Sequence, residues 1–410
     1  MDSGSLSGVS YPTGRIVVIG ASAAGIFAAE GLRRAGYDGD IVILGDEKPY
    51  DRPPLSKQVL AGDWSPDQAI LLPAPRLEAI NAKLQIGVRC TAIDVAARTV
   101  CTSEGESLRY DAAIIATGVR PRVLPGFDLP GVFTLRTVSD SLALRAAILD
   151  HKRLIVVGAG FIGLEVAASA LRLGADVTVV EIASAPLTPR LGAVANDKLL
   201  ARHRAEGVDL RLGAQIAGVS KAADGSVAGL RLGDGSELHA PAILVAAGCV
   251  PNTECFADPA ITIDNGIVCD AFCLAAPHVW AAGDVARWFH TDYGRHMRIE
   301  HRMNASEQGN AVARNIMGAA APYLHMPFFW SDQYDIKLQL AGVVTPQSEV
   351  AVEYGDVASD SFLQTFRENG RLTGILSWNA AKALTQFRRE LIETTAAARA
   401  AQAATNPVLA

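Results

Sequence analysis

Two glycine-rich segments have the spacing that brings a backbone close to a dinucleotide. Gly158, Gly160 and Gly163 follow the apolar run LIVV, and Glu181 ends the next apolar run. In a strand–turn–helix–strand unit, such glycines allow a tight turn, approach of a pyrophosphate and close helix packing, while the final carboxylate binds the adenine ribose. Since that carboxylate repels the additional phosphate of NADP, Glu181 favours NADH over NADPH.

The first segment repeats this pattern near the start of the chain. Gly20, Ser22 and Gly25 occupy the three fingerprint positions after the run RIVVI, and Asp46 ends the following apolar run. Serine replaces the second glycine, but its side chain is small enough to let a phosphate approach the backbone. Two copies of the unit, each followed by an acidic residue, predict two Rossmann-like dinucleotide-binding domains.

The remaining runs predict how the chain passes between these domains. AAIIATG (112–118) and AILVAAG (242–248) read as strands, each before a segment with proline, and VWAAGDVA (279–286) reads as a strand that stops at an acid. After Pro322 short strands dominate, with a hairpin at Asn369-Gly370 and a helix at roughly 380–393 before a frayed alanine-rich tail. We therefore predict an α/β fold with an added α+β domain. Its predicted limits are 1–118 with 248–321, then 119–247, then 322–410.

Composition narrows the functional classes. Half of the 410 residues are hydrophobic and 20% are charged, which excludes a mostly disordered chain. A balance of 37 basic and 43 acidic residues argues against nucleic acid or an anionic membrane as the main partner. The first fifteen residues lack the pattern of a signal peptide, and the apolar stretch 154–171 reads as a buried strand–turn–helix unit, so we expect a cytoplasmic protein. Cys269 and Cys273 lack a second ligand pair, so no metal site is predicted.

The run PYDRPPLSK (49–57) makes a family resemblance specific. Together with ATG (116–118), GAGFIGLE (158–165), AAGDVA (281–286) and FFWSDQYDIKLQLAG (328–342), it resembles the FAD-containing, NADH-dependent ferredoxin reductases. Those flavoproteins serve bacterial cytochrome P450 and ring-hydroxylating dioxygenase systems, and they have a fold like that of glutathione reductase. The motifs occur in the same order over almost the whole chain.

The resemblance implies two cofactors, FAD and NADH, and assigns residues to each. Asp46 would bind the FAD ribose, Asp284 the ribityl chain, and Trp330 would lie beside the isoalloxazine. Arg302 stands where the family usually has tryptophan or a small apolar residue, which is a departure next to the flavin. The implied FAD contacts are Gly20, Ser22, Ala24, Gly25, Asp46, Arg52, Lys57, Cys90, Thr117, Gly118, Arg136, Gly283, Asp284, Arg302 and Trp330. The implied NAD contacts are Gly158, Gly160, Ile162, Gly163 and Glu181.

Glu165 lies inside the apolar run FIGLEVAA and therefore requires a partner. Burial of an unpaired carboxylate costs several kcal/mol. One interpretation is an acid near a helix N-terminus, favoured by the helix dipole. The resemblance implies another, in which Glu165 pairs with Lys57 near flavin N5, and both have a catalytic role in hydride transfer.

The resemblance implies a [2Fe–2S] ferredoxin with an acidic surface as the partner, and indirectly a cytochrome P450 or oxygenase. The basic residues expected to face it are Arg298 and Arg302 before a helix at 304–317, Lys337, Arg388 and Arg389. A rubredoxin reductase and a redox-dependent interaction protein like apoptosis-inducing factor are the alternatives. A disulfide reductase is disfavoured because residues 26–89, 91–100 and 102–248 contain no cysteine. A membrane NADH:quinone reductase would require an amphipathic C-terminal anchor, for which we expect the alanine-rich tail to be a poor candidate.

Overall fold

The computed structural model describes residues 14–405, and the first dinucleotide-binding unit occupies its beginning. Four of its strands pair in parallel in the order β7-β1-β2-β3, and three others form a small antiparallel sheet. The strands are β1 (Arg15–Ile19), β2 (Asp40–Gly45), β3 (Lys83–Ile86), β4 (Cys90–Asp94), β5 (Thr99–Thr102), β6 (Ser107–Arg109) and β7 (Ala112–Ile115). The α-helices are α1 (Ala23–Arg34), α2 (Gln58–Ala61) and α3 (Ala74–Ala79).

The second unit repeats the arrangement with a sheet of five parallel strands in the order β12-β11-β10-β16-β9. Its strands are β8 (Val119–Pro121), β9 (Val132–Phe133), β10 (Arg153–Val157), β11 (Asp176–Glu181), β12 (Asp209–Leu212), β13 (Ile216–Lys221), β14 (Val227–Leu232), β15 (Glu237–His239), β16 (Ile243–Val245) and β17 (Cys249–Pro251). Its helices are α4 (Val138–His151), α5 (Phe161–Arg172) and α6 (Thr188–Ala205).

The chain then returns to the first sheet. The returning strand β20 pairs in parallel with β7, which gives the order β19-β20-β7-β1-β2-β3. The elements of this segment are β18 (Ile267–Cys269), β19 (Leu274–Ala276), β20 (Val279–Ala281), β21 (Ala286–His290), β22 (Arg295–Met297) and α7 (Arg302–Ile316). Helix α7 thus begins two residues before the predicted 304 and ends one residue before 317.

The last segment is an antiparallel sheet with one helix. The strands have the order β23-β24-β27-β26-β25. They are β23 (Phe328–Gln333), β24 (Ile336–Gly342), β25 (Glu349–Asp356), β26 (Ser361–Glu368) and β27 (Arg371–Trp378), followed by α8 (Ala381–Thr405). The hairpin predicted at Asn369-Gly370 is confirmed, since Glu368 pairs with Arg371. The predicted helix end at 393 is wrong, because the alanine-rich tail continues α8, as the high helix propensity of alanine favours.

The two parallel sheets explain the long apolar runs of the sequence. Strands β1 and β10 are buried on both faces, so alternation of polar and apolar residues is lost. In β10, Leu154 and Val156 pack with the helices, and Ile155 and Val157 pack with the antiparallel strand β14. Helix α1 is held close to α7 because both backbones carry glycine at the crossing. A Cβ at Gly309 would overlap the carbonyl oxygen of Ala24, and one at Gly31 would lie 2.9 Å from the Ala313 Cβ. This contact fixes the helix that follows the first fingerprint.

The predicted fold class is confirmed: two Rossmann-like domains are followed by a small α+β domain. The apolar stretch 154–171 forms β10, a turn and α5, as predicted. An antiparallel ladder of β8 and β17 joins the two segments at which the chain leaves and re-enters the first domain. The exact limits of the three domains stay predictions. Between residues 14 and 405, no helix is long and apolar enough to cross a membrane.

Candidate functional site

The first fingerprint turn is built so that no side chain fills it. Gly20 has a φ of +124°, and a Cβ there would overlap the carbonyl oxygen of Ala116. A Cβ at Gly25 would overlap the carbonyl oxygen of Gly20, so only glycine lets α1 approach β1 this closely. Ser22 is the N-cap of α1 with an extended backbone. The N–H groups at the start of this helix therefore provide a place for phosphate.

A cleft of about 590 Å³ opens at this turn. Its volume is within the range of ordinary ligand pockets. Of the residues predicted to bind FAD, those that line it are Gly20, Ser22, Asp46, Arg52, Cys90, Thr117, Gly118 and Arg136. Other lining residues were not predicted, among them Glu47, Tyr50, Arg89, Asn252 and Cys255.

Charged side chains at one end of the cleft already bind each other. The Asp46 carboxylate accepts from Arg89 Nε at 2.8 Å. Glu47 accepts from the Tyr50 hydroxyl at 2.5 Å and from Arg52 Nη2 at 3.1 Å. The position of Glu47, directly after Asp46 at the end of β2, is the sequence signal that could have identified it.

Arg136 and Asp284 form a partly buried pair beside the cleft. Arg136 Nη2 lies 3.4 Å from Asp284 Oδ2. Burial lowers the pKa of Arg136, and the nearby Arg52 lowers it further, while Asp284 opposes the shift. Burial likewise raises the pKa of Asp284, against the effect of Arg136. Arg136 Nε is buried without a partner among the described residues, so this guanidinium retains a donor for an anionic ligand.

Lys57 and Glu165 form the most enclosed ion pair of the site. Lys57 Nζ lies 2.7 Å from Glu165 Oε2, and the two side chains are only 13% and 6% exposed. The Ser56 hydroxyl donates to the same oxygen at 2.5 Å, and the Ser331 hydroxyl donates to Oε1 at 2.6 Å. Glu165 therefore receives three hydrogen-bond donors at its two carboxylate oxygens. The resemblance implied Lys57 but neither serine, and Ser56 and Ser331 lie 109 and 166 residues from Glu165 in the chain.

Other predicted FAD residues lie outside the lining of the cleft. Gly283 has a φ of +80°, and a Cβ there would lie 2.8 Å from the Ala24 Cβ, so the two positions are in contact. Trp330 is partly buried in β23, paired with Gln339 of β24. Arg302 begins α7.

The second fingerprint has the same close contacts and an open second position. Gly158 has a φ of +108°, and a Cβ at Gly163 would overlap its carbonyl oxygen. A Cβ at Gly160 would have no atom within 4 Å. The carboxylate of Glu181 accepts from the backbone N–H of Ala159 and of Ala183, both at 2.8 Å. These bonds hold the acid beside the turn. Ile162, the other predicted NAD contact, is half exposed at the first turn of α5.

Two of the five basic residues predicted to face a partner are not free to do so. Arg298 is 12% exposed and donates to Glu300 Oε1 at 2.5 Å, and Arg302 is 17% exposed and paired with Asp51. Their charges are largely neutralised inside the protein, which corrects that part of the prediction. The basic residues that remain exposed are Lys337, Arg388 and Arg389.

The cysteines are all free thiols in the described chain. Cys269 and Cys273 are buried, and no group of three or more metal-ligating side chains occurs within residues 14–405. Cys90 and Cys255 both line the cleft, and Cys90 follows Arg89, whose guanidinium binds Asp46. These thiols therefore lie at the end of the cleft that carries Asp46.

Comparison with known proteins identifies two families along the chain. Residues 14–309 match the pyridine nucleotide-disulphide oxidoreductase family, and residues 328–408 match the reductase C-terminal family. The chain is 38% identical to rhodocoxin reductase of Rhodococcus erythropolis, over 89% of this chain and 86% of that protein. It is 35% identical to the ferredoxin–NAD(+) reductase component of the anthranilate 1,2-dioxygenase system of Burkholderia cepacia, over 91% and 93%.

Solved structures give the same result. The ferredoxin reductase for the CYP199A2 system from Rhodopseudomonas palustris superimposes with a TM-score of 0.87 at 36% identity, covering 91% of this chain and 93% of that chain. The covalent complex of putidaredoxin reductase with putidaredoxin gives a TM-score of 0.87 at 32% identity, covering 93% of both chains. These matches extend through both dinucleotide units and the C-terminal domain.

Proposed function

This chain belongs to the pyridine nucleotide-disulphide oxidoreductase family, and from that membership we propose that it is an NADH-dependent ferredoxin reductase. A flavin and a nicotinamide dinucleotide are the cofactors of that family. The finer assignment is FAD, with a [2Fe–2S] ferredoxin as the acceptor and a cytochrome P450 or Rieske-type oxygenase beyond it. The observation that carries this proposal is the buried Lys57–Glu165 pair, which links the first domain to the fingerprint helix of the second.

The first cleft suits FAD because it offers complementary groups along its length. The empty turn at Gly20 and the N-terminus of α1 suit a pyrophosphate. Arg136 retains an unpaired buried donor, and Asp46 directly follows β2, where a ribose is bound in such folds. We place the FAD in this cleft, held by these residues and by Asp284.

The second fingerprint suits NADH. Gly160 leaves room at the start of α5 for a pyrophosphate, and Glu181 is held by two backbone N–H groups in a position to accept hydrogen bonds from a ribose diol. The same fixed carboxylate disfavours a ribose phosphate by charge repulsion. This arrangement supports the preference for NADH.

A flavin held in the first cleft by Asp46, Arg136 and Asp284 would supply the chemistry that takes an electron pair from NADH and releases the two electrons singly. The protein contributes position and charge. Glu165 holds the Lys57 side chain in place, since removal of either charge would leave the other buried and unpaired. Lys57 thereby provides a fixed positive charge and N–H donors close to where the two dinucleotides approach, and the closed packing around the pair excludes water.

The names of the relatives indicate the acceptor. One relative is the reductase component of a dioxygenase system, and a structural neighbour is joined to putidaredoxin. The disulfide-reductase alternative requires a redox-active cysteine pair at the flavin. Cys90 and Cys255 line the cleft together with Asp46, whereas Lys57 and Glu165 are not among the lining residues. They are poorly placed for that chemistry.

The experiment is a comparison of electron acceptors. The purified protein is loaded with FAD and given NADH together with a [2Fe–2S] ferredoxin, a rubredoxin or a small disulfide such as lipoamide. The proposal predicts fast reduction of the ferredoxin and negligible reduction of the disulfide. Preference for rubredoxin would select the alternative partner, and disulfide reduction as the main activity would contradict the proposal.

A further inference from the structure

A chain of side chains extends from Glu165 away from Lys57. The Ser331 hydroxyl is 2.6 Å from Glu165 Oε1, and Gln333 Nε2 is 3.0 Å from Ser331 Oγ. Gln333 Oε1 lies 2.7 Å from His203 Nε2, and His203 Nδ1 lies 2.9 Å from the Tyr334 hydroxyl. Four consecutive hydrogen bonds thus connect the ion pair to a tyrosine at the edge of the protein.

The direction of every bond follows from the charge of Glu165. An ionised carboxylate only accepts, so the Ser331 proton points to Glu165 and Ser331 Oγ is left to accept from the amide nitrogen of Gln333. The amide oxygen then faces His203, whose Nε2 must carry the proton. His203 Nδ1 is consequently bare and accepts from the Tyr334 hydroxyl. All donors of the chain therefore point toward the carboxylate.

The middle of the chain is sealed from water, which makes this direction consequential. His203 and Ser331 are fully buried and Gln333 is 2% exposed. Burial lowers the pKa of His203, and the adjacent Arg202 lowers it further, while Gln333 and Glu206 oppose the shift. A neutral imidazole agrees with the single Nε2 proton that the geometry requires. In such an interior, each aligned bond strengthens the next.

The chain also crosses domain boundaries. Glu165 lies in α5 and His203 in α6 of the second dinucleotide unit, whereas Ser331 and Gln333 lie in β23 of the C-terminal sheet. We infer that His203 and Gln333 are positioning residues, which act through Ser331 to hold the Glu165 carboxylate turned toward Lys57. This inference rests on the proposed function, because it assigns them to the geometry for hydride transfer from NADH.

The role of His203 is to fix which way the Gln333 amide points. Without the Nε2–H, the buried amide oxygen of Gln333 loses its donor, so nothing holds the amide in the orientation that donates to Ser331 Oγ. Once the Gln333 amide shifts, the Ser331 hydroxyl is no longer fixed and its charge-assisted hydrogen bond to Glu165 Oε1 weakens. The freed carboxylate could turn away from Lys57. A glutamine at 203 keeps an N–H donor in place of Nε2, whereas a phenylalanine keeps only the volume.

The test compares His203→Phe with His203→Gln in FAD-loaded protein. NADH is mixed anaerobically at saturating concentration, and the rate of flavin bleaching is measured. We expect His203→Phe to slow bleaching about tenfold, since small misplacements at a reacting centre have effects of this order or larger, with little change in NADH affinity. His203→Gln should restore most of the rate. His290, also buried and bonded through Nε2 to the His325 carbonyl, provides the matched control His290→Phe, which should bleach at the wild-type rate.

A second measurement does not depend on activity or on the folding of His203→Phe. Nitrogen NMR of histidine-labelled wild type, with the His203 signals assigned from His203→Gln, shows which ring nitrogen carries the proton. The inference requires Nε2–H, and a proton on Nδ1 would overturn it. Wild-type bleaching in folded His203→Phe protein would also overturn it. If wild type itself is not reduced by NADH, the proposed function fails, while the proton position still tests the direction of the chain.

Discussion

Among single residues, Glu165 connects the most elements of the site. Its carboxylate receives Lys57 from the first domain and Ser331 from the C-terminal sheet. Substitution Glu165→Gln leaves Lys57 buried without its counter-charge, so we expect a loss of about 3 kcal/mol in unfolding free energy. Flavin reduction by NADH should slow at least about tenfold. Thermal or urea unfolding and anaerobic rapid mixing measure the two effects.

The control for this substitution is an exposed ion pair on the same helix. Arg172 of α5 binds Asp63 through two hydrogen bonds of 3.0 Å, with both side chains well exposed. Asp63→Asn should cost no more than about 1 kcal/mol, because exposed pairs contribute little, and it should leave flavin reduction unchanged. Equal effects of the two substitutions would contradict the special role of Glu165.

Glu181 is expected to determine the preference for NADH over NADPH. Ile182, the next residue, is largely exposed and offers a position for an added cation. The double change Glu181→Ala with Ile182→Arg removes the repulsion and adds a guanidinium for the ribose phosphate. We expect kcat/KM for NADPH relative to NADH to rise at least about tenfold. Steady-state kinetics with both nucleotides decide this, and a wild type that already prefers NADPH would contradict our interpretation of Glu181.

Among the elements, the turn between β10 and α5 contains one glycine expected to affect stability, Gly163, and one expected to affect NADH binding, Gly160. Gly160→Ala places its Cβ in open space at a φ of −74° that alanine tolerates, so stability should hardly change. Gly163→Ala forces its Cβ onto the Gly158 carbonyl oxygen and should cost about 1–3 kcal/mol of unfolding free energy. Because the open space is where we place the pyrophosphate, Gly160→Ala should weaken NADH binding at least about tenfold. Unfolding curves and NADH titrations check both, and unchanged NADH affinity in Gly160→Ala would place the pyrophosphate elsewhere.

Some elements could be predicted from the sequence, and the contacts between distant elements could not. The two fingerprint units are local patterns of about thirty residues, in which each glycine has a steric cause within its own turn, so their existence and type followed from the chain. The partners of Glu165 other than Lys57 come from distant segments and have no local signal. The pairing of Arg302 with Asp51 is likewise a long-range contact. The sequence therefore did not show that an acidic residue neutralises Arg302, which was expected to face a partner. The predicted length of α8 is too short because the alanine-rich tail was expected to be frayed.

Over the whole molecule, charge decides how a partner approaches. The chain has a net charge of −6, so an acidic ferredoxin requires a local basic surface. Arg388 is exposed on α8, with its guanidinium 5.5 Å from the centre of the Phe328 ring. Arg388→Glu should slow ferredoxin reduction several-fold at low salt and weaken its salt dependence, because a charge at the rim of an interface acts mainly on association. Kinetics over a range of salt concentrations measure this.

The matched control is Arg153→Glu. Arg153 is exposed at the start of β10, at the end of this strand opposite to the fingerprint turn. This reversal changes the net charge equally and should leave ferredoxin reduction unaffected. A small neutral acceptor should be reduced at the wild-type rate by both variants. Equal slowing of ferredoxin reduction in the two variants would mean that total charge, and not a docking surface at α8, controls the rate.

In the proposed function, the protein couples a two-electron donor to a one-electron acceptor. The most direct measurement of this coupling is an anaerobic titration of FAD-loaded protein with limiting NADH in the presence of excess [2Fe–2S] ferredoxin, with both redox states followed by absorbance. We expect two ferredoxins to be reduced for each NADH consumed, with catalytic amounts of the protein and no net change in its thiols. Oxidation of NADH without ferredoxin reduction, or with electrons recovered in cysteine thiols, would contradict it.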